Sequence, residues 1–326
     1  MIIKDVCEDF VVEEVPLDDL FQEEPASYHV YLLKKRNYTT ERAITHLAQA
    51  LHIPRKNIGF AGTKDKKAIT TQYITIRGAN KEKTASLQLK DIELSFVGYR
   101  KQPLTLGDLK GNHFTLLVKE VTLPQNIPSS FYVPNYFDEQ RFSTNNIRIG
   151  RHILKKEYQD AVRIILETDD DHREPLETHL NKQKNDYVGA LHLLPRKTLL
   201  FYVHAVQSFL FNEQLKEYMT SLTETFEVDY SEGIFSFPKE LLEKEEKKEG
   251  ELIGFESLQG FQGIEPYDFV NKSLPELSLP GGTRPFYSFV QDCKITEEKE
   301  GVQATFFLSK GCYATIVLKQ LFSANQ

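Results

Sequence analysis

The sequence predicts an α+β fold, an antiparallel or mixed sheet with flanking helices, interrupted by an inserted, mainly helical domain. Three observations predict it. Segments that alternate apolar and polar residues surround one helical stretch in the first 120 residues, helical spacing takes over mid-chain, and alternation returns near the C-terminus. The expected boundaries are 1–150 plus 281–326 for the discontinuous α+β domain and 151–280 for the insertion. A chain of 326 residues exceeds the usual size of one domain, which suits a core elaborated in this way.

YHVYLLKK, from Tyr28, is rich in β-branched and aromatic residues and reads as a strand. Thr39 or Thr40 then caps a helix with Ala43, Ile44, Leu47, Ala48 and Leu51 on one side, and Pro54 lies just beyond it. QYITIR at 72–77, IELSFVGYR and NHFTLLVKEV alternate as strands. After VPNYFDEQRF the texture changes. AVRIILE is helical, DDDHREP is a polar break, and HAVQSFLFNEQLKEYM carries apolar residues at helical spacing. EKEEKKEGE reads as a solvated helix face or a loop, and LPGGTRP as a turn or loop. QATFFLSKG and ATIVLKQL close the chain and read as strands. No repeat at a fixed short period is visible.

Composition narrows the function classes. Apolar residues make up 40% and charged residues 27%, and no run approaches the roughly 18 to 20 apolar residues that span a bilayer. Asp5 interrupts the N-terminus before a secretory signal could form, so none is expected. Cys7, Cys293 and Cys312 are far apart and form no C-x-x-C, which predicts a reducing, cytoplasmic setting without a zinc ribbon or disulfide framework. The nine histidines make no H-E-x-x-H and no clustered ligand spacing, and both phosphate-cradling glycine motifs are missing.

The net charge of −7 argues against a nucleic-acid partner until it is mapped along the chain. Lys34 to Lys101 holds 15 Lys/Arg against 5 Asp/Glu, whereas Glu213 to Glu256 holds 5 against 13. A polyanion could be held on the first segment while the second points elsewhere, although a solvated lysine-rich surface would leave the same pattern.

Inside the basic segment, GFAGTKDKKAITTQ at 59–72 sets Asp65 among Lys64, Lys66 and Lys67. Neighbouring cations keep a carboxylate ionised and available as a nucleophile or base. Gly59, Ala61 and Gly62 are small residues suited to close backbone approach. A surface turn in which Asp65 merely pairs with a lysine explains the same residues. The guanine-reading T-K-x-D motif does not, because it needs one more residue and a phosphate loop. LKGNHFTLLV adds Asn112, suited to a base edge or to a turn, and Phe114, suited to stacking or to core packing, with His113 on the opposite face of a strand.

Taken in order, EDFVVEE, FAGTKDKKAITTQ, LKGNHFTL, VPNYFDEQRF, YVHAVQSFLFN, LPGGTRP and SKGCYATIVLKQL resemble the TruD-type transfer-RNA pseudouridine synthases, and these stretches span the whole chain. The resemblance implies a pseudouridine-synthase catalytic fold with an inserted TruD domain, isomerising uridine in tRNA, typically uridine 13 of the D-arm. It implies Asp65 as the catalytic nucleophile, Phe10, Asn112, Phe114 and Tyr313 at substrate-contacting positions, and Lys4 as a basic partner of Asp65. No metal and no organic cofactor are implied, and nothing about oligomeric state. Two departures stand out. Tyr313 replaces the usual phenylalanine, and Asp138 and Ser143 replace glycines near Arg141, which is retained as a structural or phosphate-facing cation. A non-catalytic RNA-binding or RNA-folding module on the same fold is the alternative.

Overall fold

The computed structural model describes residues 1–142, 145–243, 247–257 and 267–324. Along the chain run β1 (Ile2–Ile3), β2 (Phe10–Pro16), β3 (Tyr28–Arg36), α1 (Thr40–Leu51), β4 (Ile58–Phe60), β5 (Ile69–Arg77), α2 (Lys81–Ala85), β6 (Ile92–Arg100), β7 (Leu109–Lys119) and β8 (Phe131–Pro134). There follow α3 (Asn146–Leu154), α4 (Tyr158–Thr168), α5 (Asp170–Lys182), α6 (Tyr187–Leu191), α7 (Arg196–Leu222), β9 (Thr225–Tyr230), β10 (Gly233–Pro238), β11 (Glu249–Leu252) and β12 (Gly282–Pro285). The chain closes with β13 (Tyr287–Glu298), β14 (Gly301–Ser309) and α8 (Ala314–Phe322).

Two compact units result, one of residues Met1–Tyr132 and Ser288–Gln326, the other of Val133–Tyr287. The first contains a mixed sheet in the order β6-β3-β5-β2-β7-β14-β13-β8, with β1 added to β7 and β4 to β5. β2 and β5 run parallel, and the remaining recorded pairings are antiparallel. The chain leaves this unit along β8 and returns along its neighbour β13. The two units therefore divide after Tyr132 and before Ser288. Thr39 caps α1 by accepting from the Arg42 N–H, and Ala43, Ile44, Leu47, Ala48 and Leu51 bury one face of that helix against Tyr31, Leu33, Ile74, Ile76 and Ile92. On the other side of the sheet, Val30 joins Leu20, Ala61, Leu104 and Leu109. That second cluster holds Ala61 and so anchors the loop that carries Asp65.

The second unit contains α3 to α7 and two two-stranded sheets, β9 with β10 and β11 with β12. α7 runs the full span of HAVQSFLFNEQLKEYM and beyond. None of the described helices is long and apolar enough to cross a membrane.

Four sequence expectations need correction or fall outside view. DDDHREP is not a break but the start of α5. Asp169 caps that helix by accepting from the His172 N–H, and Asp170 and Asp171 occupy the first turn, where acidic side chains meet the positive end of the helix dipole. ATIVLKQL is helix α8, not a strand. Its residues are buried on nearly every side, so no 3.6-residue period shows in the apolar pattern. In LPGGTRP, Gly282–Pro285 pairs with β11 rather than forming a loop. EKEEKKEGE lies partly outside the described residues, and its final residues 249–251 open β11.

Candidate active site

Asp65 lies on the loop between β4 and β5, and that loop is fixed from several directions. Thr40, the first residue of α1, accepts from the Lys64 N–H at 2.9 Å and donates to Gln72 Oε1 at 2.8 Å. Gln72 Nε2 in turn donates to the Gly62 carbonyl at 2.9 Å, and the Gly107 N–H to the Ala61 carbonyl at 2.8 Å. Gly59 is needed for close approach, since a Cβ there would stand 2.5 Å from the Leu104 carbonyl oxygen, whereas a Cβ at Gly62 would meet only ordinary contact.

The cation on Asp65 is not one of its sequence neighbours. Lys4 Nζ donates to Asp65 Oδ2 at 2.6 Å, with 16% of the lysine and 34% of the aspartate side chain exposed. Lys4 holds a left-handed backbone at φ 63°, which disfavours a side chain by about 1–2 kcal/mol and has to be held by the surrounding contacts. One of those contacts is visible: its ammonium stands 3.9 Å from the centroid of the Phe10 ring. Phe10 meets Phe114 edge to face at 6.3 Å, and Phe114 meets Phe306 at 5.6 Å. Asp65, Lys4, Phe10 and Phe114 thus form one continuous stack of contacts, with both phenylalanines buried in its floor.

Lys64 points elsewhere. Its Nζ lies 2.5 Å from Glu14 Oε2, and Glu14 Oε1 also accepts from the Tyr73 N–H at 3.1 Å. Burial raises the Glu14 carboxyl above the ordinary glutamate value, against the opposing pull of Lys64 and the Tyr73 amide. The lysine-flanked carboxylate of the sequence is therefore corrected: Lys66 and Lys67 are exposed, Lys64 serves Glu14, and the partner comes from β1's end of the chain.

Asn112 lies in β7, not in a turn, opposite Glu14 on β2 and two residues from Phe114 on the same face. His113 is exposed on the opposite face and meets Phe307 at 5.2 Å. Among the described residues the Asn112 Oδ1 is buried with no hydrogen-bond partner. A buried acceptor left this way costs about 1–3 kcal/mol, which a ligand N–H would recover. Tyr313 stands half-buried at the N-cap of α8, three residues beyond Lys310, whose N–H bonds to the Lys110 carbonyl near Asn112. The structure therefore joins Lys4, Phe10, Asp65 and Phe114 by contact, Asn112 by register, and Tyr313 by its place in the chain.

Sequence reasoning missed Glu14 and Lys35. Lys35 is 1% exposed, and its Nζ donates to the carbonyls of Tyr38 at 2.6 Å and Asp65 at 2.9 Å. Burial pushes its pKa down to about 8, opposed by the charge of Asp65. Strand alternation is the signal that could have found Lys35, which shares the face of Tyr31 and Leu33 in β3 while Lys34 and Arg36 are exposed on the other. The basic segment is accordingly less open than its charge count suggests, with Lys35 and Lys64 both turned inward.

Two departures in the second unit are resolved in part. Asp138 has φ −89°, a conformation that needs no glycine, while Ser143 lies outside the described residues. Arg141 donates to the Ser208 hydroxyl at 3.1 Å and stands over the Phe137 and Phe201 rings.

A family model described as tRNA pseudouridine synthase D (TruD) matches residues 1–178, 170–233 and 242–321. A tRNA pseudouridine synthase D of Aquifex aeolicus is 30% identical, over 99% of this chain and 98% of its own. A probable tRNA pseudouridine synthase D of Thermococcus onnurineus is 31% identical, over 98% and 94%. The crystal structure of a protein assigned to tRNA pseudouridine synthase D from Methanosarcina mazei superposes with a TM-score of 0.68 at 22% identity, covering 98% of this chain and 93% of that one. That last likeness speaks for the fold.

Proposed function

We propose, from the premise that this chain belongs to the TruD family of tRNA pseudouridine synthases, that it isomerises a uridine of tRNA at Asp65, with uridine 13 of the D-arm as the target. The observation that carries the reading is the partly open Asp65 carboxylate, oriented by Lys4 above an aromatic floor. Oδ2 is taken by Lys4, and among the described residues no hydrogen bond falls on Oδ1.

The reaction breaks the N1–C1′ bond, turns the uracil and joins C5 to C1′. One proton leaves C5 and one reaches N1, so the nucleotide balances its own atoms and electrons. Asp65 acts as the nucleophile that carries the nucleotide through the detached stage. No step is assigned to a metal or an organic cofactor. Unstacking a uridine costs roughly a few kcal/mol, offset by stacking and base-edge hydrogen bonds. Half-buried Tyr313 offers a ring to the base, Phe10 and Phe114 line the floor, and the unpartnered Asn112 Oδ1 suits a uracil N–H.

The test is site-resolved pseudouridine mapping of tRNA incubated with the wild type and with Asp65→Ala. The expected result is pseudouridine at position 13 with the wild type alone. Product at another uridine would overturn the position, equal product from both proteins would remove Asp65 from the chemistry, and none from either would favour the non-catalytic RNA-binding module.

A further inference from the structure

We propose that Lys35 is a positioning residue for the reaction, its buried ammonium tying the peptide group of Asp65 to the end of β3. The inference rests on the reading of Asp65 as the acting group. Three carbonyls surround Lys35 Nζ: Tyr38 at 2.6 Å, Asp65 at 2.9 Å and Lys64 at 3.5 Å. An ammonium carries three N–H donors and no acceptor, so the number of donors matches the number of oxygens.

The arrangement is expensive for packing alone. Lys35 is 1% exposed, and the described residues place no carboxylate oxygen within ion-pair distance of it. Burying a cation on dipoles costs more than burying an apolar side chain of similar length, and methionine would fill the same volume. What the lysine adds is a direct hold on the Asp65 backbone. The other ties of the loop fall on Ala61, Gly62, Lys64, Lys66 and Ala68. Removing the Lys35 tie would leave the Asp65 carboxylate steered from one side only, by Lys4.

Three titratable groups face Lys35: Asp65 and Lys64 on the loop, and Cys7 in the turn before β2. Loss of a proton leaves two donors for three carbonyls. In the window between about 8 and the ordinary lysine range, the unfolded chain keeps that proton while the folded chain gives it up. Through this group the fold gains stability as pH rises there, so a rate loss in that window would not be unfolding driven by Lys35.

The experiment is a set of single-turnover pH–rate profiles at saturating tRNA for the wild type, Lys35→Arg, Lys35→Met and Asp65→Asn, with tRNA Kd measured alongside. The expected wild-type rate falls above pH about 8 while Kd stays level. Lys35→Arg, which stays charged, loses that alkaline limb. Lys35→Met binds tRNA within threefold of the wild type but turns over about a hundredfold more slowly, the scale of a misplacement of about 1 Å. An unchanged limb in Lys35→Arg, or a wild-type rate in Lys35→Met, overturns the proposal. If Lys35→Met does not fold, the limb of Lys35→Arg decides alone. Asp65→Asn at the wild-type rate refutes the reading of Asp65, whereas an inactive Asp65→Asn beside a fully active Lys35→Met refutes only the positioning role.

Discussion

Lys64 and Glu14 meet at 2.5 Å with 6% and 1% of their side chains exposed, so the lysine next to Asp65 in sequence is withdrawn from it in space. The pair links β2 to the Asp65 loop across 50 residues of chain. Taking one partner away leaves an uncompensated buried charge, at a cost of about 3–5 kcal/mol. Urea denaturation of Lys64→Met should show a loss on that scale, and the double variant with Glu14→Leu should recover most of it. A single variant within 0.5 kcal/mol, a margin of roughly the size of surface substitutions, would mean the pair is not buried in solution.

The backbone at Lys4 separates two contributions of one residue. At φ 63° glycine is comfortable and alanine is not. Lys4→Gly and Lys4→Ala remove the same ammonium from Asp65, so both should lose about ten- to a hundredfold in rate. Lys4→Gly should nevertheless be more stable than Lys4→Ala by about 1 kcal/mol. Equal stabilities would argue that the left-handed turn is absent in solution.

Most of the sheet was legible from alternation alone, as Tyr28–Arg36 and Leu109–Lys119 show, and α1 from its cap and apolar face. Where the sequence misled, the signal was physically ambiguous. Ala314–Phe322 is buried on nearly every side, Lys319 and Gln320 included, and so shows no clear apolar face, and Asp169–Asp171 are as suited to a helix start as to a loop. Asp65 stood out as a candidate because its motif is compact. Glu14 and Lys35 did not, because the partners that hold them lie 50 and 30 residues away, although alternation places both on buried strand faces.

Salt dependence tests the outward cations. Lys66 and Lys67 are exposed beside Asp65, unlike Lys35 and Lys64. tRNA affinity should fall steeply with added salt, and replacing both lysines with alanine should weaken binding and flatten the slope of log K against log salt by roughly 1 to 2. Titrations from low to high salt check this. An unchanged slope would place the phosphates elsewhere.

The fold itself should respond to pH through Lys35. Its depressed pKa of about 8 means that the wild type gains stability relative to Lys35→Arg as pH rises from 8 toward the ordinary lysine range, since guanidinium does not titrate there. Chemical denaturation of both proteins across that window measures the difference. A flat difference would show that Lys35 titrates as an exposed lysine.

The most direct measurement is the single-turnover rate of Asp65→Asn on bound tRNA, because asparagine keeps the size of the side chain and removes the carboxylate charge. The account predicts tRNA affinity close to that of the wild type with product formation slowed at least a thousandfold, about 4 kcal/mol of lost transition-state stabilisation. A rate near that of the wild type, with binding intact, would contradict it.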